Sequence, residues 1–321
     1  MGLQSTFPGG FANGVTIRGV PILQSNPGQV FWLSNATTLT GNQRGGSDAN
    51  RGTYDSPFGT LNYAMSQCTA SRGDIIMVKP GHAETISSAT ACALSTAGVA
   101  IIGLGIGTNR PTFTLDTANT ATFPVSAANI SIQNCIFMAN FLSIAACFTL
   151  TTAKHFSVES CGFGDTSSVL NFLNIVKSTG AANTVDGLYM ANNRWNGLGT
   201  TSVNSFILSA NDIDSGRWLG NHVKLARTAT AAILATISAG VVTNLDCGDN
   251  RCYSAQTATT GGSLINVGGT TSTGFVYRNY MQTLDTTGNL LFTTTVGLAA
   301  FENRLTGAVG ATGFVIPAVD S

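Results

Sequence analysis

Ala191-Asn192-Asn193-Arg194-Trp195, Leu219-Gly220-Asn221-His222-Val223, Gly248-Asp249-Asn250-Arg251-Cys252, Tyr277-Arg278-Asn279-Tyr280-Met281 and Phe301-Glu302-Asn303-Arg304-Leu305 are five variants of one pentapeptide. Two earlier stretches, Ile132-Gln133-Asn134-Cys135-Ile136 and Val158-Glu159-Ser160-Cys161-Gly162, align with them. The central residue is Asn in six of the seven, and successive units are 26, 33, 28, 29, 29 and 24 residues apart. Self-similarity at such a period is the mark of stacked supersecondary units. Two residues before and after the centre the chain is mostly apolar; beside the centre it is mostly polar. In an extended segment that alternation turns the Asn inward and its neighbours outward. Identical amides stacked at about 4.8 Å can hydrogen-bond along the stack as a ladder. A buried amide without partners would cost ~1–3 kcal/mol, so repetition is what makes Asn tolerable there. Cys135 and Cys161 fall on the outward column in this alignment, unless a bulge turns them in.

Each unit carries an earlier apolar run as well: Phe148-Thr149-Leu150, Phe172-Leu173-Asn174-Ile175, Phe206-Ile207-Leu208, Ile233-Leu234, Leu264-Ile265-Asn266-Val267 and Leu290-Leu291-Phe292. The unit is therefore strand, turn, strand, Asn, turn. Unequal turn lengths favour an all-β, right-handed parallel β-helix of about ten coils, ~48 Å long. Before the repeats the pattern changes. Leu61, Ala64, Met65 and Cys68 have helical spacing and place a short amphipathic helix over Thr60–Cys68, preceded by a strand at Val30–Leu33. Residues 1–28, rich in Gly and Pro, read as an extended arm with a short strand near Val15–Ile17. The expected division is an arm over 1–28, a strand, loop and capping helix over 29–72, and the β-helix over 73–321.

Thr60-Leu61-Asn62-Tyr63-Ala64, Gly73-Asp74-Ile75-Ile76-Met77-Val78 and Pro80-Gly81-His82-Ala83-Glu84-Thr85-Ile86 together resemble the start of the solenoid in right-handed β-helix proteins of the pectate-lyase-like superfamily. There a helix caps the stack, a Gly-Asp-apolar-apolar-x-Val strand opens the first coil, and a Gly-x-Tyr-x-Glu turn follows. This chain has Gly81-His82-Ala83-Glu84, without the Tyr. Start and repeats cover about residues 58–310. The Gly/Pro arm, the low charge and the Gly/Thr/Ser/Asn richness further resemble virion proteins of tailed bacteriophages.

The chain has 321 residues, of which only 9% are charged, with 15 Lys+Arg against 15 Asp+Glu. Net charge zero gives no basic excess to hold nucleic acid by counterion release. Little repulsion opposes association, so an assembled protein is expected. No uninterrupted apolar stretch spans a membrane, and Met1-Gly2-Leu3-Gln4-Ser5-Thr6 lacks the features of a secretory signal. Seven cysteines without a CxxC pair read as buried thiols, and no His sits at ligand spacing from a Cys pair. No metal or cofactor is expected.

For glycan cleavage the best carboxylate pair is Asp212 with Asp214, which equally reads as a solvated turn. The polygalacturonase-like elements are missing, so the expectation is a structural protein rather than an enzyme. Specifically, it is a capsid decoration or cement protein on the virion surface, made in the host cytoplasm, a homotrimer bound to a major capsid protein. Its contacts would come from Phe7, Phe11, Val15, Ile17, Arg18, Val20 and Ile22 in the arm. The alternative is a tailspike-like polysaccharide-binding or depolymerising protein. One outward column reads Arg194, His222, Arg251, Tyr280 and Arg304, a cationic strip with one aromatic that could face a partner. The other reads Asp249, Arg278 and Glu302.

Overall fold

The computed structural model describes residues 28–37, 43–200, 205–226, 232–255, 262–284, 290–292 and 297–306, and the backbone of the short pairs 16–17, 20–21 and 313–314. Of the arm, Thr16–Ile17 pairs antiparallel with Val20–Pro21; Phe7, Phe11, Val15, Arg18 and Ile22 lie outside the described residues.

The chain winds as a right-handed parallel β-helix with three sheets. The first has ten strands, from Val30–Leu33 through Ile75–Val78 to Leu298–Phe301. The second also has ten, from Ala83–Ile86 to Arg304–Thr306, closed by the antiparallel strand Gly313–Phe314. The third has seven, from Phe123–Val125 to Leu290–Phe292. The solenoid thus has about seven complete turns rather than the ten expected. In the first rungs the chain crosses the third side as bends, and Leu94 reaches Val125 only through an isolated bridge. The third-sheet strands Phe148–Leu150 and Leu290–Phe292 coincide with the apolar runs that announced them.

Alternation sends one side chain of each pair into the stack. On the second sheet Phe113, Phe137 and Phe163 lie in register and stack at 5.6 and 5.4 Å, and Trp195 continues the column. Phe123 and Phe148 repeat the arrangement on the third sheet, 5.7 Å apart. Offset aromatic contacts add about 0.5–1.5 kcal/mol each beyond area burial.

The amide ladder is present. Asn193, Asn221, Asn250, Asn279 and Asn303 are all buried. Each Oδ1 from Asn221 onward accepts both the backbone N–H and the Nδ2 of the Asn one rung before; for Asn221 and Asn250 these distances are 2.9 and 3.0 Å. The same Nδ2 groups also donate to first-sheet carbonyls, as from Asn250 to Trp218 at 2.8 Å. The register differs from the sequence alignment in its first two units. Cys135 and Cys161, not Asn134 and Ser160, head the ladder column: Gly162 pairs with Arg194, and the Cys161 N–H donates to Asn193 Oδ1 at 3.0 Å. Both thiols are buried rather than outward. Asn134 and Ser160 instead form the corner before the ladder, at φ +55° each. Sliding by one residue turns every side chain to the other face, so the buried thiols follow from the corrected register.

The helix Leu61–Gln67 caps the stack as expected, with Thr60 accepting from the Tyr63 N–H. The turn after it explains Gly81-His82-Ala83-Glu84. His82 Nδ1 accepts from the Asn35 N–H at 3.0 Å, which leaves Nε2–H to donate to Glu84 Oε2 at 3.0 Å. Glu84 in turn accepts the Leu61 N–H at 3.0 Å, placing a carboxylate on the positive end of the helix. Among the described residues no helix is long and apolar enough to cross a membrane.

Asn250→Leu removes the acceptor of Asn221 N and Nδ2 and the donor to Trp218 O and Asn279 Oδ1. At about 1–3 kcal/mol per buried group left unpaired, the variant is expected to lose at least about 3 kcal/mol. Thermal unfolding followed by circular dichroism measures it; an unchanged midpoint would mean the ladder does not hold the stack.

Candidate functional site

The second sheet brings the expected strip together. Arg194 pairs with His222, His222 with Arg251, Arg251 with Tyr280 and Tyr280 with Arg304, one residue per rung. All five side chains point outward, Arg194, Arg251 and Arg304 being exposed. The next outward column carries Lys224, Tyr253 and Gln282 on the middle rungs. Rings and cations therefore alternate: His222 beside Lys224, Arg251 beside Tyr253, then Tyr280. The Tyr253 ring lies 5.5 Å from His222 and 5.8 Å from Tyr280.

Arg110 extends this face. Its Nη1 donates to the Ser160 carbonyl at 3.1 Å, and its guanidinium lies where a side chain at Gly162 would stand. Gly162 is one rung before Arg194 in the same column. The sequence reading missed Arg110 because it belongs to no repeat; the bare glycine opposite was its one signal.

Beside the strip runs the corner column, which needs φ > 0 on every rung: Asn134, Ser160, Asn192, Gly220, Asp249, Arg278 and Glu302. Asn134, Asn192, Gly220 and Asp249 are types that adopt this region readily, and Ser160 is small. Arg278 at +48° and Glu302 at +57° are not, and such a conformation costs about 1–2 kcal/mol for a residue with a long side chain. Strain of this kind gathers where function demands a particular side chain. Here it coincides with a cleft of about 710 Å³ lined by Asp249, Arg251, Tyr253, Arg278, Asn279, Tyr280, Glu302 and Arg304.

Electrostatics in the cleft is organised around one pair. Arg278 Nε and Nη2 each donate to an Asp249 carboxylate oxygen at 2.8 Å, and the guanidinium lies 4.8 Å above the Tyr277 ring. That fork holds the Asp249 carboxyl below its ordinary range and pushes Arg278 up. Asp249 is thus a fixed anion and Arg278 a fixed cation; neither is poised to move a proton. Behind them Tyr277 donates to Asp246 at 2.8 Å and stacks on Phe301 at 5.3 Å. Chemically the face offers flat rings for apolar stacking and guanidinium groups for carboxylates.

Other titratable groups serve the scaffold. Asp212 accepts the Val241 N–H at 2.8 Å; Asp214 accepts from the Thr243 hydroxyl at 2.6 Å and Asn244 Nδ2 at 2.8 Å. Both carboxylates bind together the lateral strands Ile213–Asp214 and Val242–Thr243. Buried Asp165 resembles a catalytic acid more closely, since burial pushes its carboxyl up to about 6 against three backbone N–H donors. Those donors, from Phe172, Leu198 and Gly199, occupy both oxygens, so Asp165 anchors two loops. No disulfide joins the seven cysteines, and burial pushes the Cys161 thiol up to about 12. Among the described residues no group of three or more His, Cys, Asp or Glu could hold a metal ion.

Asp165 gives a pH signature. Its folded pKa lies above its unfolded value near 3.8, so the folded protein holds a proton that the unfolded chain has released. Stability is expected to fall by on the order of 2–3 kcal/mol as pH rises from about 4 through 6. Melting curves over that window should show the slope, and Asp165→Asn should lack it. The corner gives a second test. Glu302→Gly relieves the positive φ and should raise stability by about 1 kcal/mol; a drop in melting midpoint would assign Glu302 a structural role instead.

No family model and no curated protein matches the chain. A solved structure similar to it is a rhamnogalacturonan lyase, at 12% identity and TM-score 0.39, covering 90% of each chain. Likeness at this level concerns the fold. The chain was read as no enzyme; with a protein named as a lyase among the structures similar to it, that exclusion is withdrawn.

Proposed function

We propose that the chain is a polysaccharide-binding protein whose binding face is the second-sheet strip and its cleft, and that the polysaccharide is acidic. One observation carries this reading: rings and cations alternate in register along the outward columns, from Arg194 to Arg304. A sugar presents an apolar C–H face that packs on an aromatic ring, and a carboxylated sugar adds an acceptor that a guanidinium binds by two parallel hydrogen bonds. Arg278 and Glu302, the two strained corner residues, line the cleft on the same face. Depolymerisation is the extension of this reading, with the cleft as the place for it.

The finer setting that the resemblance to phage virion proteins implies is a tailed phage particle, with a homotrimer attached to a major capsid protein. It belongs to this proposal as context only. A shell-cement role would be anchored by residues 1–28, most of which lie outside the described residues. Imaging of intact particles would test that setting.

The experiment for the main reading is binding of polygalacturonate, with neutral dextran as control, measured by affinity electrophoresis and calorimetry. Wild type should retain the acidic glycan alone, less strongly at high salt. The double variant Arg251→Gln/Arg304→Gln should bind about tenfold or more weakly. Equal affinity for dextran, or an unweakened double variant, would sink the reading. Release of new reducing ends by wild type would extend it to cleavage.

A further inference from the structure

His222 occupies an unusual place in the strip. Its rung neighbours in the same column are Arg194, on the strand before, and Arg251, on the strand after. Lys224 lies two residues along its own strand, and the Tyr253 ring of the following strand tilts against it at 5.5 Å. Every charged group that faces the imidazole from these three strands is a cation. The nearest corner carboxylate, Asp249, is held in its fork by Arg278. Partial burial and then Arg194, Arg251 and Lys224 hold the ring below its ordinary range, so at neutral pH it sits uncharged among three cations.

We propose that an acidic polysaccharide bound along this face is held by His222 as an imidazolium, so that binding takes up a proton. The inference rests on the binding face proposed above and adds its regulation. A carboxylate laid between Arg194 and Arg251 would offset the repulsion that keeps the ring neutral and accept its N–H. The proton comes from the buffer, its charge is balanced by the glycan carboxylate, and no covalent bond changes. Linkage makes the effect reciprocal: if the ligand favours the proton, the proton favours the ligand to the same extent. Affinity therefore rises as pH falls through the imidazole range, while the glycan carboxylates stay ionised above about pH 5.

Calorimetry with oligogalacturonate at pH 7.5, 6.5 and 5.5 tests this. Wild type should bind about five- to tenfold more tightly at pH 5.5 than at 7.5, one linked proton giving at most tenfold per pH unit. At pH 6.5 its binding heat should differ between buffers of low and high ionisation enthalpy, by an amount that reports net proton uptake. His222→Gln and His222→Lys, one never charged and one always charged, should both lose the pH gradient, with the lysine variant the tighter at pH 7.5. If the glutamine variant does not fold, judged by circular dichroism, the lysine variant and the wild-type buffer dependence decide. A gradient that persists in either variant overturns the proposal. So does wild-type binding that is flat in pH and independent of buffer, an outcome that leaves the binding face standing. No binding at any pH overturns both.

Discussion

The whole molecule depends on the closure of one corner, between the first and second sheets. A parallel β-helix must turn sharply there on every rung, and a turn this tight forces one residue to positive φ. The next residue re-enters the strand with its polar backbone buried. Asn solves the second problem for its neighbours as well as for itself. Its carbonyl oxygen accepts the preceding rung's N–H, and its amide fills a first-sheet carbonyl left open by the turn. Each amide thereby bonds two neighbours, so the corner cannot be repaired one rung at a time. Where the ladder ends toward the N-terminus, Cys161 and Cys135 take its place, and the interior beside them is filled by stacked Phe rings.

Most of this frame was legible in the sequence because stacking forces like residues to recur. The Asn column, the third-sheet runs and the capping helix all appear as periodic signals. The one-residue slip at the first two units has a physical cause. Asn is favoured both at a positive-φ corner and in the ladder, as the adjacent pair Asn192 and Asn193 shows. In Asn134-Cys135 the Asn holds the corner and the Cys the buried column, and no pattern of hydrophobicity separates the two. The number of full turns was overread for a related reason: period counts rungs, but not whether a rung's third side is strand or bend.

The site was legible in part. Residues that act through register, Arg194 to Arg304, could be placed in one column from spacing alone. Arg110 could not, because it reaches the strip by the length of its side chain across Gly162. Nor could the meaning of Arg278 and Glu302 be read, since backbone strain leaves no trace in composition. Only the φ values show that these two depart from the residues that hold the same corner elsewhere.

Net charge over the whole chain says little about what any one surface of a solenoid attracts. The chain balances 15 cations with 15 anions, and on that ground nucleic acid is not an expected partner. At physiological ionic strength, however, a ligand senses charges within about 8 Å. Along the strip these are Arg194, Lys224, Arg251 and Arg304, with Asp249, Arg278 and Glu302 in the corner column beside them. Much of the compensating acid is spent elsewhere: Asp212 and Asp214 on the lateral strands, Asp165 beneath the loops, Glu84 on the helix and Asp249 in the Arg278 fork. A solenoid makes such separation easy, because each outward column is an independent surface line whose residues repeat at the rung spacing without disturbing the interior. The local field, not the sum over the chain, is therefore what a polysaccharide approaching the second sheet would meet.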